Sequence, residues 1–130
     1  MNFNSKRFLK KCLISVFKTN YPAFEVILVD NGSTDNSVDF VRYLFPKENL
    51  RIIENEKNLG FAGGNNKGIR VAKGEFLLFL NNDTEVERNW LKETVDVLLS
   101  DSTIGGAQCK LLQLGQKDKI DGAGGYVDRF

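Results

Sequence analysis

Residues 21–35 read YPAFEVILVDNGSTD, and this stretch decides the fold. Its apolar part, residues 24–29, is short, rich in β-branched side chains and flanked by turn-forming residues, which is typical of a buried parallel strand. A turn follows directly, and Ser33 or Thr34 can cap the next helix. The stretch therefore predicts a strand–turn–helix unit.

The same alternation continues on both sides of this unit. An amphipathic helix is predicted at 5–19, because its apolar and basic side chains fall on opposite faces. The other predicted elements are a helix ending near residue 45, a strand at 50–53, a loop at 55–64, a helix at 65–73, a strand at 76–80, a helix at 89–100, a strand at 104–112 and a loop from 115 onward. Strands that alternate with helices predict an α/β fold with a mostly parallel sheet, in a single domain spanning 1–130.

The composition argues against several classes of function. The chain has 130 residues, a formal net charge of +1 and no histidine. The lack of histidine removes the commonest general base, the usual zinc ligand and the serine–histidine triad, and the near-neutral charge argues against nucleic acid as a partner. Cys12 and Cys109 match no metal-binding spacing, so both are predicted to be free thiols in a reducing compartment.

The expected location is the cytoplasm. No apolar run reaches the ~18 residues that a membrane span needs, and the first residues lack the apolar region of a signal peptide. The basic face of the helix at 5–19 leaves two interpretations open, a solvated surface or a peripheral contact with acidic lipids at the inner face of the membrane.

Three polar clusters are candidates for chemistry, and each also has a purely structural interpretation. Residues 30–35 (DNGSTD) form either a helix-capping turn or a set of hydrogen-bonding groups for a ligand. Residues 58–66 (NLGFAGGNN) form either a flexible loop or a row of backbone N–H groups that face a phosphate, although they match neither a P-loop nor a dinucleotide-binding motif.

The third cluster is Asn81-Asn82-Asp83, which follows a predicted strand. It forms either a helix cap or a site in which Asp83, with an asparagine beside it, holds a divalent cation that carries a diphosphate. Because ligands of parallel sheets bind at the carboxyl ends of the strands, residues 30–32 and 81–83 are expected to open into one crevice.

Read together, the clusters resemble the family 2 glycosyltransferases. The matching strings are residues 21–35, 58–68 (NLGFAGGNNKG), 72–84 (AKGEFLLFLNNDT) and Trp90-Leu91, in this order. The loop at 60–68 and the ending at 122–128 (GAGGYVD) are most similar to the rhamnosyltransferase-like branch. The resemblance implies the Rossmann-like, three-layer GT-A fold. It also implies transfer of a sugar, with inversion, from a dTDP-, UDP- or GDP-sugar to a hydroxyl of a glycan or lipid-linked acceptor.

The resemblance also assigns roles to individual residues of the donor site. Phe3 matches an aromatic residue that lies against the nucleotide base, Asn31 matches the position that contacts the base, and Asp30 is the acidic position beside it. Gly63 and Asn66 match the loop that lines the donor site.

The remaining assigned roles concern the ribose and the metal. Asn82 matches a position near the ribose, and Asp83 matches the carboxylate of the family's DxD-type motif that holds Mg²⁺ or Mn²⁺, with Asn81 beside it. Many relatives have aspartate where this chain has Asn81, so its metal binding is expected to be weaker.

Both ends of the chain look truncated by this resemblance. Relatives begin with an apolar strand before the turn that Asn2-Phe3-Asn4 matches, and their catalytic base comes from an acceptor half that is expected beyond Phe130. Asp121 and Asp128 are only weak candidates for that base. The chain is therefore expected to supply the donor- and metal-binding half, and a homodimer or another partner is expected to cover the missing strand.

Two alternatives stay open. The chain could be a non-catalytic fragment or pseudoenzyme module that self-associates, because the first strand and the base are both missing. A sugar nucleotidyltransferase ranks last, since the segment at 4–11 has basic residues but no glycine-rich loop.

Overall fold

The computed structural model describes residues 1–123. These residues divide into two compact units, and the boundary along the chain falls between Arg88 and Asn89. The first unit contains α1 (Lys6–Phe17), β1 (Val26–Asp30), α2 (Ser37–Leu44), β2 (Leu50–Glu54) and α3 (Gly60–Ile69). The second contains α4 (Trp90–Ser100), β3 (Leu111–Gln113) and β4 (Gln116–Gly122). No helix within residues 1–123 combines the length and the apolar character that crossing a bilayer requires.

A parallel pair of strands forms the centre of the first unit. β1 and β2 are in register from the Val26–Leu50 pair to the Asp30–Glu54 pair. One face of β1 presents Leu28, which packs in a buried cluster with Leu9 and Leu13 of α1 and Val41 of α2. The helix at 5–19 was thus predicted correctly, and its apolar face supplies two of the four buried residues of this cluster.

The opposite face of β1 is covered by α3. A methyl group added at Gly68 would lie 3.2 Å from Cγ2 of Val29, which is already close contact. The absence of a side chain at Gly68 therefore lets the helix backbone approach the strand. Helices on both faces of a parallel pair confirm the predicted α/β fold.

Asp35 caps both α1 and α2, whereas Ser33 or Thr34 had been predicted to cap the helix that follows the turn. Its carboxylate accepts hydrogen bonds from the backbone N–H of Lys6, at 3.0 Å, and of Ser37, at 3.1 Å, which are the first residues of α1 and α2. The Ser37 hydroxyl donates to it as well. Burial opposes ionisation of Asp35, but these hydrogen bonds prevail and lower the pKa of its carboxyl. The prediction was wrong because the chain makes one more turn, with Asn36 in the left-handed region, before α2 begins.

Two predicted elements near the middle of the chain differ from the structure. The helix predicted at 65–73 begins at Gly60, where the Asn58 side chain accepts the Gly60 N–H at 2.8 Å, and it ends at Ile69. The strand predicted at 76–80 is absent from the described elements. An apolar run becomes a strand only beside a hydrogen-bonding neighbour, and within residues 1–123 no strand pairs with 76–80.

The second unit confirms one prediction and corrects another. α4 occupies the predicted helical stretch, and within it Leu91 and Val95 are buried whereas Leu99 is 65% exposed. The strand predicted at 104–112 is instead the short β3, which pairs antiparallel with β4. The intervening turn contains Gly115 at φ +82°, a conformation that favours glycine, so the chain reverses where a loop was predicted.

Candidate functional site

Asn2 joins the two polar turns that were expected to share a crevice. Its side-chain N–H groups donate to Asp30 Oδ1 at 2.8 Å and to Ser33 Oγ at 3.1 Å, and its Oδ1 accepts from Asn82 Nδ2 at 2.6 Å. Asn2 and Asp30 are 1% and 3% exposed, so the bond between these two residues lies out of competition with water. The amide of Asn2 thus connects the turn after β1 with the turn at 81–83, whereas a crevice shared by the two turns stays a prediction.

Asp30 is held by this connection as well. Its Oδ2 accepts the backbone N–H of Ser33 at 2.9 Å while Oδ1 accepts from Asn2. Both oxygens of a buried carboxylate therefore have donors, which offsets the cost of removing the charge from water. Asp30 lies at the predicted strand end, in a defined orientation.

Asn31 is completely buried and orders the neighbouring loop. Its Nδ2 donates to Asn58 Oδ1 at 2.7 Å and to the Gly60 carbonyl at 3.2 Å. Its Oδ1 accepts from Asn55 Nδ2 at 3.0 Å and from the Leu59 N–H at 3.1 Å. An asparagine amide has two donors and room for two acceptor bonds, so every hydrogen-bonding position of Asn31 is occupied.

Gly32 lets the same loop approach the turn. It lies at φ +79°, and a Cβ built on it would be 2.9 Å from both the Cα and the carbonyl carbon of Lys57. Backbone atoms cannot move aside as the end of a flexible side chain can. The turn after β1 and the loop at 55–60 therefore form one packed structure that requires glycine at this position.

A cavity of about 300 Å³ opens beside these residues, at the carboxyl ends of β1 and β2 and the start of α2. Its lining includes the acidic residues Asp30, Asp39, Glu54 and Glu56. Neither Phe3 nor Asn31 contributes to the lining. Arg42 pairs with Glu54 at 2.6 Å and with Asp39 at 3.7 Å, which offsets part of this negative charge. The carboxylates of Asp30 and Glu56 still favour neutral groups that donate hydrogen bonds, such as a base imide or ribose hydroxyls.

The predicted metal-binding turn is exposed. Asp83 and Asn81 lie at the surface, and the Asn81 carbonyl accepts the Thr84 hydroxyl at 2.6 Å. Across residues 1–123, no three side chains of the His, Cys, Asp or Glu type converge as a metal site would require. The donor set is thus one carboxylate with amide oxygens nearby, which fits only a hard cation held jointly with phosphate oxygens.

The other predicted site residues are at least partly exposed. Phe3 follows Asn2 directly and is 40% exposed, so its ring is available for stacking. Asn66 is exposed on α3, and Gly63 on the same helix is half-buried, where an added Cβ would touch Leu59. Of the two weak candidates for a base, Asp121 belongs to β4 in the second unit, and Asp128 lies outside the described residues.

Cys12 provides a chemical probe for this region. Its thiol is buried 3.8 Å from the Asn81 carbonyl, and burial raises its pKa to about 11. Because the thiolate is the reactive form, we expect iodoacetamide at pH 8 to modify the half-buried Cys109 well before Cys12. Mass spectrometry of the peptides after timed labelling gives both rates, and Cys12→Ser identifies the slow site. Equal rates for the two cysteines would contradict the described packing around Cys12.

Sequence reasoning missed the residues that assemble the site. Asn2, Asn55 and Asn58 carry most of the side-chain hydrogen bonds that hold the two turns and the loop. Except for the bond of Asn58 to the Gly60 N–H, their partners are 24 to 80 positions away in the chain, so no local pattern reveals them. The one available signal was the concentration of asparagine at predicted strand ends and turns, where its amide satisfies backbone groups.

Comparisons with known proteins identify the family of the chain. The model of the glycosyl transferase family 2 matches residues 1–110. Glycosyltransferase GlyG of Streptococcus pneumoniae is 35% identical over 91 residues, which are 69% of this chain and 30% of that protein. Poly(ribitol-phosphate) beta-N-acetylglucosaminyltransferase TarS of Staphylococcus aureus is 34% identical over 94 residues, which are 70% of this chain and 16% of that protein.

Solved structures show the same likeness. The crystal structure of Staphylococcus aureus TarS 1-349 in complex with UDP-GlcNAc superposes with a TM-score of 0.69 at 31% identity, over 76% of this chain and 29% of that one. The structure of the same protein in complex with UDP gives a TM-score of 0.68. The chain spans less than a third of the length of these relatives. The match over residues 1–110, the shared α/β fold and the identity to these proteins show that the chain belongs to glycosyl transferase family 2.

Proposed function

We propose that this chain supplies the donor- and metal-binding part of an inverting glycosyltransferase, which transfers a sugar from a nucleoside-diphosphate carrier to an acceptor hydroxyl. The observation that carries the proposal is the Asn2 amide, which brings the Asp30 turn and the Asn82 turn together at one buried point. The complexes of TarS with UDP and UDP-GlcNAc support a uridine nucleotide as the first donor to test. The similarity to rhamnosyltransferases stays a prediction, and preference for a dTDP-sugar would support it.

The charges of the site suggest how a donor lies in it. The acidic cavity beside Asp30 suits the base or the ribose, and Phe3 offers an exposed ring for stacking. A direct bond from Asn31 to the base would require it to release one of its four hydrogen bonds. We therefore propose that Asn31 acts mainly by holding the loop at 55–60 in place.

The diphosphate is expected on the side of Asn82 and Asp83, away from the acidic cavity. There Asp83, with Asn81 as a weaker neighbour, would hold Mg²⁺ or Mn²⁺ together with the phosphates. Such an ion stabilises the negative charge of the leaving diphosphate. A carboxylate that deprotonates the acceptor hydroxyl completes the reaction, and among the described residues none is assigned to that role. The acceptor is proposed to be a glycan or a lipid-linked sugar, and cytoplasmic location stays a prediction.

Calorimetric titration tests the donor site. We expect UDP to bind the 130-residue chain more tightly with Mn²⁺ than without it, and Asp83→Ala to abolish this gain because its carboxylate is lost. The gain is expected to be at least roughly tenfold in Kd. Parallel titrations with dTDP and GDP identify the nucleotide.

The matched control is Asp118→Ala, which removes an exposed carboxylate from β4 in the second unit. This variant should bind as the unchanged chain does. If Asp83→Ala binds UDP and Mn²⁺ normally, the metal assignment fails. If no nucleotide binds with or without metal, the donor site itself is refuted for this chain.

A non-catalytic module that self-associates is the second candidate. The observation that favours it is the exposed apolar run Leu77-Leu78-Phe79, whose side chains are 46%, 37% and 60% exposed. Contiguous exposed apolar surface often marks an association site. A dimer in sedimentation equilibrium without any nucleotide affinity would support this candidate over glycosyl transfer.

A further inference from the structure

The cationic residues of the chain are distributed unevenly. Residues 1–24 contain five of the 18 lysines and arginines and none of the 17 aspartates and glutamates. In residues 25–130 the acidic side chains outnumber the basic ones. All five cations belong to α1 or follow it directly: Lys6, Arg7, Lys10, Lys11 and Lys18. The formal net charge of +1 is therefore the sum of a strongly basic helix and an otherwise acidic chain.

The helix presents most of these cations along one line. Arg7, Lys11 and Lys18 are exposed and lie four and seven positions apart, which is close to one and two helical turns. Lys10 is exposed beside this line, whereas Lys6 is half-buried. The line is about 17 Å long at the helical rise of about 1.5 Å per residue. The buried residues of α1 point the other way, into the core: Leu9, Cys12, Leu13 and Val16. We call the four exposed cations the basic stripe.

The charges of the basic stripe are not neutralised by ion pairs. Within residues 1–123, none of its four side chains forms one. Asp35 lies at the start of α1, but its carboxylate accepts the Lys6 N–H as a cap. The acidic segment at 83–87 contacts the flank of α1, where the Val86 N–H donates to Ser15 Oγ at 3.0 Å. This segment borders the stripe without pairing with it, so the positive charge is available to an outside partner.

Apolar side chains accompany these cations. Phe8 is 38% exposed, and Cζ of Arg7 lies 4.5 Å from the centre of its ring. Ile14, which falls between Lys11 and Lys18 along the line, is partly exposed. A surface that mixes cations with apolar groups suits the headgroup region of a bilayer, where phosphates lie next to the acyl chains.

We propose that the basic stripe binds the surface of a bilayer that contains anionic phospholipids, with α1 parallel to the membrane plane. The cations contact the lipid phosphates, and Phe8 enters between the headgroups. The buried face of α1 stays packed against the core through Leu9 and Leu13, so docking needs no rearrangement of the helix. The inference is independent of the proposed donor site, because it uses none of the residues assigned to that site.

A bilayer fits this surface better than nucleic acid does. Duplex nucleic acid presents phosphates but no apolar layer for Phe8 and Ile14 to enter. The excess of acidic side chains in residues 25–130 would also repel a long polyanion that extends beyond α1. A planar membrane touches only the face that is turned towards it. The stripe therefore matches an anionic membrane surface.

Vesicle sedimentation tests the proposal. The full 130-residue chain is mixed at low salt with vesicles of phosphatidylcholine and phosphatidylglycerol in equal parts, or of phosphatidylcholine alone, and the protein in the pellet is measured. We expect binding to the anionic vesicles to be at least roughly tenfold tighter than to the neutral ones, and to weaken as salt is added. Duplex DNA at an equal concentration of phosphate should not displace the chain from the anionic vesicles.

Two double variants locate the surface. Lys11→Gln with Lys18→Gln removes two cations from the basic stripe and should weaken binding to the anionic vesicles by at least roughly tenfold. Lys67→Gln with Arg70→Gln removes two exposed cations from α3, which covers the opposite face of β1, and should bind as the unchanged chain does. The two variants have the same net charge, so a difference between them reports the position of the lost charges. Circular dichroism checks that both are folded.

NMR tests the orientation. A paramagnetic lipid is included in nanodiscs of the anionic composition, where it broadens the signals of nearby amides. We expect stronger broadening at Arg7, Lys11 and Lys18 than at Lys67 and Arg70, because α1 and α3 lie on opposite faces of β1.

Several results would overturn the proposal. Equal weakening by the two double variants would show that net charge alone governs binding, and equal affinity for neutral vesicles would show that anionic lipid is not recognised. Displacement by duplex DNA would favour nucleic acid as the partner. Broadening that is strongest on α3 would place the membrane on the other face. Since UDP titration is performed without vesicles, failure here leaves the donor site unaffected, and the reverse also holds.

Discussion

Gly32→Ala is expected to lower the free energy of unfolding by about 2–4 kcal/mol, combining left-handed backbone strain with a steric clash. The new Cβ would lie 2.9 Å from two backbone atoms of Lys57. The loop at 55–60 must then move, and the four hydrogen bonds of Asn31 to that loop are strained or lost. Urea unfolding followed by circular dichroism measures the change in the free energy of unfolding.

Gly60→Ala is the matched control, because Gly60 has a similar φ of +73° but no atom within 4 Å of an added Cβ. It should cost only the backbone strain, about 1–2 kcal/mol. The difference between the two variants isolates the contact with Lys57. Equal losses for both variants would show that the close approach of the loop contributes nothing to stability.

The second large effect is expected for Asn2→Ala, which should destabilise the chain by about 2–4 kcal/mol. The substitution removes the donors to Asp30 and Ser33 and the acceptor for Asn82. The buried Asp30 carboxylate keeps only the Ser33 N–H on its other oxygen, so much of the cost is an unsatisfied buried charge.

The same variant should also release the turn at 81–83, which NMR detects as broadened or shifted amide signals for Asn82 and Asp83. The matched control is Asn66→Ala on the exposed surface of α3, which should change stability by no more than about 0.5 kcal/mol. A loss for Asn2→Ala as small as that of the control would mean that the amide of Asn2 is not the junction of the two turns.

Position 2 can also be tested through charge. Asn2→Asp places a carboxylate against Asp30, so one of the two must be neutral or both are strained. Such a pair raises a carboxyl pKa in the folded state. The resulting loss of folding stability is absent at low pH, and it grows as the pH rises above the pKa of the carboxyl in the unfolded chain. We therefore expect the free energy of unfolding of Asn2→Asp to be close to that of the unchanged chain near pH 4 and to fall below it towards pH 7.

Much of the architecture follows from local patterns. The spacing of Leu9, Cys12, Leu13 and Val16 predicts α1, and a β-branched run between turn residues predicts β1. Both predictions succeed because the periods of helix and strand appear in the order of apolar residues within a short segment. The same holds for α4. The strand ends also identify the polar turns, since an α/β sheet binds ligands there.

Local patterns failed where the outcome depends on a neighbour. Residues 76–80 have a strand-like composition, yet a strand exists only with a hydrogen-bonding partner, and the described residues provide none. The segment after residue 104 was likewise predicted as one strand, but Gly115 reverses the chain and the pairing of β3 with β4 defines a hairpin.

The sequence by itself determined that this is an α/β chain of family 2 type, with polar turns after its strands. Only the tertiary structure decided which side chains hold those turns together: Asn2 between Asp30 and Asn82, and Asn31 within the loop at 55–60. The physical reason is that helix and strand propensities act between residues close in the chain. A buried amide instead takes whichever partners the packed fold brings within hydrogen-bonding distance, however far apart they are in sequence.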